Sequence, residues 1–236
     1  MKCQMNDENQ NDNPDHFSSP ACFMHEVDPA YMGLEGNGET VKEWRKGERR
    51  RLIDHRASFN AEERDQKSLR IRQNLDRLLP EVTGRTVSIY WPFLGEPDLR
   101  GWLTAASVRG ATCLLPVVSE KGKPLTFRTW RIGEKLTRGV LNIPVPVHGD
   151  ERQPDIVIAP VVGFDAQCYR LGFGGGYFDR TLAVLHPKPV VIGVGFDFQQ
   201  IETIRPQGHD IPMDAIVTDT DIRFRQGFDT LFAWKF

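Results

Sequence analysis

A run of glycines between charged residues is the part of this chain whose composition best suits chemistry. Residues 170–180 read Arg-Leu-Gly-Phe-Gly-Gly-Gly-Tyr-Phe-Asp-Arg, so four glycines fall within five positions. Glycine has no Cβ, which lets the backbone adopt positive φ and approach a ligand closely. Successive N–H groups in such a bend form a concave anion site, the flanking arginines can pair with phosphate, and Asp179 can hold Mg²⁺. The stretch therefore favours a phosphate site, and a tight turn that needs glycine only for its backbone is the alternative.

Two common phosphate-binding motifs do not fit this stretch. A G-x-G-x-x-G pattern starting at Gly172 would need glycine where Tyr177 stands, and no lysine follows the glycines as a P-loop requires. The surrounding order still suits an anion, because the apolar run 156–162 predicts a strand and residues 177–186 predict a short amphipathic helix. A strand, a glycine bend and a helix N-terminus in this order can bind phosphate.

A second candidate for ligand binding is a basic helix predicted over residues 41–58. Lys46 and Arg50 are four residues apart, so they share one helix face and could reach a ligand together. The alternative is a cationic face that is simply solvated.

The elements that must position these residues alternate along the chain. Asn60 and Glu63 form a predicted capping box for a second helix, whose apolar residues, Leu69 among them, are predicted to be core. Asp98 is the predicted cap of a third helix. Strands are predicted at 86–91, 112–118, 125–127, 156–162, 190–196 and 215–218, and a long surface loop at 142–155. This alternation predicts the α/β class, with helices on both faces of a mostly parallel central sheet and ligands at the carboxyl ends of the strands.

Composition narrows the class of protein. Residues 1–40 hold eight acids and one lysine, which leaves 29 Lys and Arg against 24 Asp and Glu in residues 41–236. We predict a disordered acidic leader over residues 1–39 and one domain over 40–236. The mild excess of positive charge suits a small polyanionic ligand and is too weak to indicate nucleic acid. The sequence lacks an apolar run long enough for a membrane span, and its four cysteines have no paired spacing, so we expect the reducing cytoplasm.

Five segments, in order, resemble one family, the 5-formyltetrahydrofolate cyclo-ligases, also called 5,10-methenyltetrahydrofolate synthetases. The glycine stretch resembles that family's Arg-Leu-Gly-x-Gly-x-Gly-Tyr-Tyr/Phe-Asp signature. The basic helix resembles its Lys-x-x-Leu-Arg pattern, with Arg49 where the family has leucine. The other three segments are Asn142-Ile143-Pro144-x-Pro146, Gly163-Phe164-Asp165 and His209-Asp210-x-Pro212-x-Asp214. The resemblance spans residues 41–220 and implies a three-layer α/β/α sandwich that is Rossmann-like and similar to the NagB/RpiA/CoA-transferase-like fold.

The resemblance implies a ligase reaction that consumes ATP and needs Mg²⁺. In it the N5-formyl oxygen of 5-formyltetrahydrofolate is phosphorylated. N10 then attacks the activated carbon, and phosphate leaves to give 5,10-methenyltetrahydrofolate, with ADP as coproduct. Such an enzyme must position two substrates and neutralise the charge on the γ-phosphoryl group as it transfers.

The resemblance also implies which residues bind ATP and the metal. Lys46 and Arg50 are expected at the ATP phosphates. The glycine stretch is expected to cradle them through Arg170, Leu171, Gly172, Phe173, Gly174, Gly175, Gly176, Tyr177 and Phe178. Asp179 and Asp210 are the expected Mg²⁺ carboxylates, with Asp214 as the competing candidate for the second position.

For the folate, Glu96 matches the acid expected to accept hydrogen bonds from the pterin ring, although a solvated loop glutamate is the alternative. Tyr90, Trp91 and Phe93 are aromatic candidates for the pterin wall; core packing is the alternative for each, and it is equally weighted for Tyr90. Phe173 is expected to contact the folate, and Tyr177 is expected to line the site of the formyl group. His209 is left out of the catalytic set because the reaction has no obvious need for a general base.

These observations lead us to expect a monomer with two small-molecule partners, ATP and 5-formyltetrahydrofolate with or without further glutamates, and with no nucleic acid or membrane partner. Two other functions remain open on the sequence. One is a folate- or nucleotide-binding regulator without catalysis, and the other is a sugar-phosphate isomerase or CoA-transferase-like enzyme on a similar sheet.

Overall fold

The computed structural model describes residues 38–228, with no side-chain detail before residue 41 or at residue 141. The helices are α1 (Gly38–Ser58), α2 (Ala61–Leu78), α3 (Arg100–Val108) and α4 (Tyr177–Val184). The strands of the central sheet are β1 (Thr86–Ser88), β2 (Thr112–Val117), β3 (Thr126–Thr129), β6 (Ile156–Pro160), β9 (Val190–Val194), β10 (Ala215–Val217) and β11 (Ile222–Phe224). Two small antiparallel pairs consist of β4 (Leu136–Arg138) with β5 (Pro144–Pro146) and β7 (Gly163–Phe164) with β8 (Arg170–Leu171).

The central sheet is mostly parallel, as predicted. Its strand order is β11-β10-β9-β6-β1-β2-β3. The five central strands run parallel, whereas β3 and β11 pair antiparallel at the two edges. The carboxyl ends of the parallel strands therefore lie along one side of the sheet, where ligand sites form in folds of this kind.

The core lies on both faces of the sheet. Residues of β6 alternate between two hydrophobic clusters, because successive side chains on a strand point to opposite faces. Ile156 and Ile158 pack in the cluster that includes residues of α2 and α3, while Val157 and Ala159 pack in the cluster that includes residues of α4. This arrangement confirms the three-layer α/β/α sandwich.

The predicted start of α2 is confirmed in detail. The Asn60 side chain accepts a hydrogen bond from the Glu63 N–H, and the Glu63 carboxylate accepts one from the Asn60 N–H. Leu75 is fully buried on this helix, but Leu69 is exposed, so its assignment to the core was wrong. Asp98 accepts a hydrogen bond from the N–H of Arg100, the first residue of α3, but Leu99 occupies the N-cap position and makes no side-chain cap bond.

The loop predicted over 142–155 contains strand β5. Its residues Pro144 and Pro146 suggested a loop, but β5 pairs on one side only, with β4, so it tolerates residues that cannot donate to a ladder. Several predicted strands are shorter than expected; β1 ends at Ser88, and the chain beyond it is free to turn towards the site.

The four glycines follow β8, not the central strand β6. β7 and β8 form a hairpin between the end of β6 and the glycines. Asp165 stabilises the turn of this hairpin, accepting hydrogen bonds from the backbone N–H groups of Gln167 and Tyr169. The Gly163-Phe164-Asp165 motif is explained by this turn.

The first helix begins earlier than the sequence predicted. Helix α1 begins at Gly38, three residues earlier than predicted, and the rest of the predicted leader lies outside the described residues. Within residues 38–228, no helix combines the length and hydrophobicity that a bilayer span requires.

Candidate active site

One cavity of about 1020 Å³ lies at the carboxyl ends of β1, β2 and β6. Its walls come from α1, the segment after β1, the glycine stretch, the segment before β10 that carries His209 and Asp210, and the β4–β5 hairpin. Every residue that the sequence assigned to ATP, folate or metal lines this cavity, apart from Asp214, the alternative metal candidate. The structure therefore brings together residues separated by more than a hundred positions in the chain.

The glycine stretch adopts a backbone that other residues resist. Gly174 has φ of 97° and Gly176 has φ of 61°, both in the left-handed region that favours glycine. A Cβ at Gly172 would lie 2.4 Å from a terminal nitrogen of Arg170. Gly176 is the N-cap of α4, so the bend leads into the end of a helix that carries partial positive charge.

A buried ion pair joins the two ends of this bend. A terminal nitrogen of Arg170 donates to Asp179 at 2.9 Å, and both side chains are largely buried. The other carboxylate oxygen of Asp179 accepts from the N–H of Ile211 at 3.3 Å. The Nε of Arg170 is buried and has no hydrogen-bond partner among the described residues, so this guanidinium keeps a donor that an anion could use.

Asp210 is held by a second arginine. Arg45 pairs with its carboxylate and also donates to the carbonyl oxygens of Ile204 and Arg205. The N–H of Gln207 donates to the same carboxylate at 2.6 Å. Arg45 therefore fixes the segment that carries Asp210 against α1.

The donor set decides how a metal could be held. The N–H of Ile211, the residue after Asp210, donates to Asp179, and each of the two aspartates already pairs with an arginine. Over residues 38–228, no group of three or more His, Cys, Asp and Glu side chains could hold a metal by itself. Mg²⁺ commonly takes only one or two carboxylates and completes its shell with substrate phosphates and water. The residues therefore fit Mg²⁺ as a companion of a bound triphosphate.

The alternative metal ligand Asp214 lies outside the cavity lining. One of its carboxylate oxygens pairs with Arg225 at 2.9 Å, and the other accepts from the N–H of Val191 at 2.9 Å. Asp214 thus ties β9 to the chain around β10 and β11, and we remove it from the candidate metal ligands.

Arg49, which the sequence treated as a departure from the family pattern, contacts the bend directly. Its Nε donates to the carbonyl oxygen of Gly172 at 2.7 Å. Burial, and secondly the charge of Arg45, lower the pKa of Arg49 from its ordinary value to about 10. Among residues 38–228, no carboxylate lies within ion-pair distance of Arg49. A bound anion would relieve this excess of positive charge.

Lys46 and Arg50, the predicted phosphate ligands, lie at the exposed side of the cavity. Both side chains are exposed, and Arg50 makes only a 3.9 Å ion pair with Asp54. Their contact with phosphate stays a prediction. Arg45 and Arg49, one residue earlier in each case, are the less exposed cations of α1 that line the cavity.

At the other end of the cavity, Glu96 is buried. One oxygen of its carboxylate accepts from the N–H of Phe93 at 3.0 Å, and the other is buried without a partner among the described residues. Burial raises the pKa of Glu96 to about 7, and the nearby charge of Arg56 opposes that rise. A buried carboxylate with an open acceptor in a cavity suits a ligand that presents N–H groups.

Aromatic side chains surround this carboxylate. Tyr90 belongs to the hydrophobic core, lines the cavity and donates from its hydroxyl to the carbonyl oxygen of Pro97 at 2.9 Å. Trp91 is half-buried and packs against Trp130 with ring centroids 5.8 Å apart. The rings of Phe93 and Phe173 pack edge to face with their centroids 5.7 Å apart. The segment that carries Glu96 therefore contacts the glycine stretch. Tyr177 and His209 also line the cavity.

The inward-facing side of α1 is the feature that sequence reasoning missed. Arg45, Arg49, Leu52 and Arg56 are spaced four, three and four residues apart, which is the spacing of a buried helix stripe. Arginine is rarely fully buried, yet Arg56 has no exposed surface. The spacing of these four residues indicates a buried helix face. Three of the four are arginines, however, and charged residues do not usually predict a buried face.

Comparison with known proteins identifies the family of this chain. The family model for the 5-formyltetrahydrofolate cyclo-ligase family matches residues 41–219. The chain is 32% identical over 151 residues to the 5-formyltetrahydrofolate cyclo-ligase of Escherichia coli K12, covering 61% of this chain and 82% of that protein. It is 29% identical over 175 residues to the Mycolicibacterium smegmatis cyclo-ligase, covering 71% of this chain and 89% of that protein.

A solved structure is similar as well. The Aquifex aeolicus 5,10-methenyltetrahydrofolate synthetase superimposes with a TM-score of 0.68 at 30% identity, covering 77% of this chain and 93% of that one. With the family match extending over most of the chain, the conclusion is that this chain belongs to the 5-formyltetrahydrofolate cyclo-ligase family, whose members are ligases.

Proposed function

We propose that this protein converts 5-formyltetrahydrofolate to 5,10-methenyltetrahydrofolate with ATP and Mg²⁺, and releases ADP and phosphate. The observation that carries the proposal is the shared cavity. It joins a glycine bend with surplus positive charge to a buried glutamate with an open acceptor. One end suits a triphosphate and the other suits the N–H edge of a pterin.

At the phosphate end, the chain's own groups would bind and orient ATP. The guanidinium groups of Arg49 and Arg170 and the backbone N–H groups of residues 172–176 are the proposed phosphate ligands, with Lys46 and Arg50 approaching from the exposed side. The formyl oxygen of the folate forms a new bond to the γ-phosphorus while the bond from that phosphorus to ADP breaks. Because the transferring group carries spread negative charge, fixed cations around it lower the barrier.

At the folate end, Glu96 would orient the substrate. Its carboxylate can accept hydrogen bonds from the 2-amino group and N3 of the pterin, and Trp91, Phe93 and Phe173 would pack on the flat rings. This anchoring places the formyl group towards the bend, near Tyr177. N10 can then attack the phosphorylated formyl carbon and lose its proton to the departing phosphate or to solvent, as the bond from carbon to the former formyl oxygen breaks and phosphate leaves with that oxygen.

Asp179 and Asp210 are the proposed contacts of the nucleotide-bound Mg²⁺. Mg²⁺ would supply charge neutralisation at the phosphates of ATP. The pairing of both aspartates with arginines supports a model in which these carboxylates orient the surrounding cations until ATP arrives with its metal.

A direct assay tests the proposal. Purified protein is mixed with 5-formyltetrahydrofolate, ATP and Mg²⁺, and the absorbance of the methenyl product is followed while ADP and phosphate are measured. We expect product only when all three components are present, with one ADP and one phosphate per methenyl group formed. Tight binding of both substrates without turnover would instead favour the non-catalytic regulator, and turnover without ATP would refute the ligase assignment for this chain.

The proposed setting is the cytoplasm, and the proposed working unit is a monomer. Cys113 and Cys168 are buried free thiols, which is compatible with a reducing compartment.

A further inference from the structure

This inference rests on the proposed function and concerns a residue outside the cavity lining. We propose that Arg56 is a positioning residue for the folate end of the site: it fixes the turn that presents Glu96 and places a buried positive charge against that turn. Arg56 belongs to the last turn of α1 and touches neither substrate in this proposal.

Arg56 is tied to the turn before Glu96. Its Nε donates to the carbonyl oxygen of Leu94 at 2.9 Å. Leu94 has φ of 48° and Gly95 has φ of 75°, so two consecutive residues occupy the left-handed region, which a leucine rarely adopts. The Arg56 side chain also packs at the face where a Cβ on Gly95 would lie, with its Cγ 3.6 Å from that point. The guanidinium therefore stabilises an otherwise unfavourable turn.

The same guanidinium carries the charge that opposes the burial of Glu96. Arg56 is fully buried, and its two terminal nitrogens make no hydrogen bond to any described residue. Other charged or titratable groups around the turn are Arg170 of β8, Tyr90 after β1 and Arg64 of α2, which packs on Gly95. Of the charges that favour ionised Glu96, that of Arg56 is the largest.

Arg56 also reaches the glycine bend. The carbon of its guanidinium lies 5.7 Å from the ring centroid of Phe173, and that ring contacts Phe93 next to the turn. One buried cation thus contacts both loops that must hold the folate at a fixed distance from ATP. Loss of the cation should affect folate recognition before it affects nucleotide binding.

The test compares Arg56→Met, Arg56→Lys and a matched control, Arg51→Met, which replaces an exposed arginine of the same helix. KM for 5-formyltetrahydrofolate, KM for ATP and kcat are measured from pH 6 to pH 9. For Arg56→Met we expect KM for the folate to rise roughly tenfold or more at pH 7, because a buried acid that loses its charge partner is protonated more readily. The pH midpoint of folate binding should move up by about one unit, while KM for ATP changes less than about twofold.

Arg56→Lys separates charge from geometry. Lysine keeps the charge, so the pH midpoint should stay near that of the wild type, but KM for the folate should rise several-fold because the fixed bond to Leu94 is lost. Arg51→Met should match the wild type in every constant. If Arg56→Met does not fold, Arg56→Lys alone decides: a wild-type KM for the folate overturns the inference.

Other outcomes separate this inference from the proposed function. An active wild type whose Arg56→Met variant keeps the wild-type KM and pH midpoint overturns the role of Arg56 and leaves the ligase proposal standing. A lowered melting temperature with an unchanged KM for the folate and an unchanged midpoint means that Arg56 is only structural, and also overturns it. A wild type that never turns over refutes the proposed function, and this inference with it.

Discussion

Arg49 donates a hydrogen bond from its Nε to the carbonyl oxygen of Gly172 at 2.7 Å. This bond ties the first helix of the sandwich to the glycine bend, across 123 positions of the chain. The bend is thus held from α1, from the Arg170–Asp179 pair and by its own glycines, so that its N–H groups are in place before a ligand binds.

Arg49 should contribute more to ATP binding than Arg50. We expect Arg49→Ala to raise KM for ATP by roughly ten- to a hundredfold, since a charge-assisted contact to phosphate contributes about 1.5–3 kcal/mol. Arg50→Ala, on the exposed side of the same helix, should raise it by less than about fivefold. Steady-state kinetics at fixed folate measure both. A larger effect from Arg50 would mean that the helix face with Lys46 and Arg50 contacts the phosphates, as the sequence predicted.

Gly174 should be essential for the shape of the bend. An alanine there would combine φ of 97° with a Cβ 3.3 Å from the Arg49 guanidinium, so we expect ATP affinity to fall at least about tenfold with folate affinity nearly unchanged. Gly133→Ala is the matched control, because Gly133 has φ of 88° but its Cβ would meet open space. Calorimetric titration with a non-hydrolysable ATP analogue gives the affinities; equal losses in the two variants would mean that only backbone strain matters.

Asp179→Asn should separate catalysis from folate binding. Asparagine keeps the size of the side chain but removes the charge that faces Arg170 and the proposed Mg²⁺, so kcat should fall by about 10²-fold or more. KM for the folate should change little, because Asp179 lies at the phosphate end. The dependence of rate on Mg²⁺ concentration should also shift to higher Mg²⁺. Equal loss of folate binding and turnover would identify Asp179 as a structural residue.

Folate binding should weaken as pH falls below about 7. The pKa of Glu96 is raised to about 7 by burial, and only the ionised carboxylate can accept both hydrogen bonds from the pterin. KM for 5-formyltetrahydrofolate should therefore climb about tenfold for each pH unit below that value, whereas Glu96→Gln should have a high KM that is independent of pH between 6 and 8. A wild-type KM that is flat over this range would contradict the assignment of Glu96.

The same carboxylate should cost stability at high pH. Its pKa rises from an ordinary 4.5 to about 7 on folding, so the folded protein keeps a proton that the unfolded chain has lost. The free energy of unfolding from this group is therefore greatest below pH 4.5 and falls as pH rises through 7. The free energy of unfolding of Glu96→Gln, taken relative to that of the wild type, should therefore increase by on the order of 2–3 kcal/mol from pH 5 to pH 8. Urea denaturation at the two pH values measures this, and an unchanged difference would show that Glu96 is not the buried titrating group.

The fold and the centre of the site were accessible from local patterns. The capping box of Asn60 and Glu63 depends on two side chains three residues apart, and the positive φ of Gly174 depends on glycine itself. Strand alternation on β6 required only that successive side chains point to opposite faces. Such features involve neighbours in the chain, so the sequence contains what is needed to predict them.

What the sequence by itself determined is the glycine bend, the alternation of strands and helices and the residue types that could bind phosphate and pterin. Tertiary structure decided which of the many cations of α1 turns inward, because a helix that is basic on several faces has no apolar stripe to orient it. It also decided that Asp179 and Asp210 meet arginines, that Asp214 lies away from the cavity, and that Arg56 reaches Leu94. These are contacts between distant segments, and packing of the whole chain, rather than local spacing, selects them.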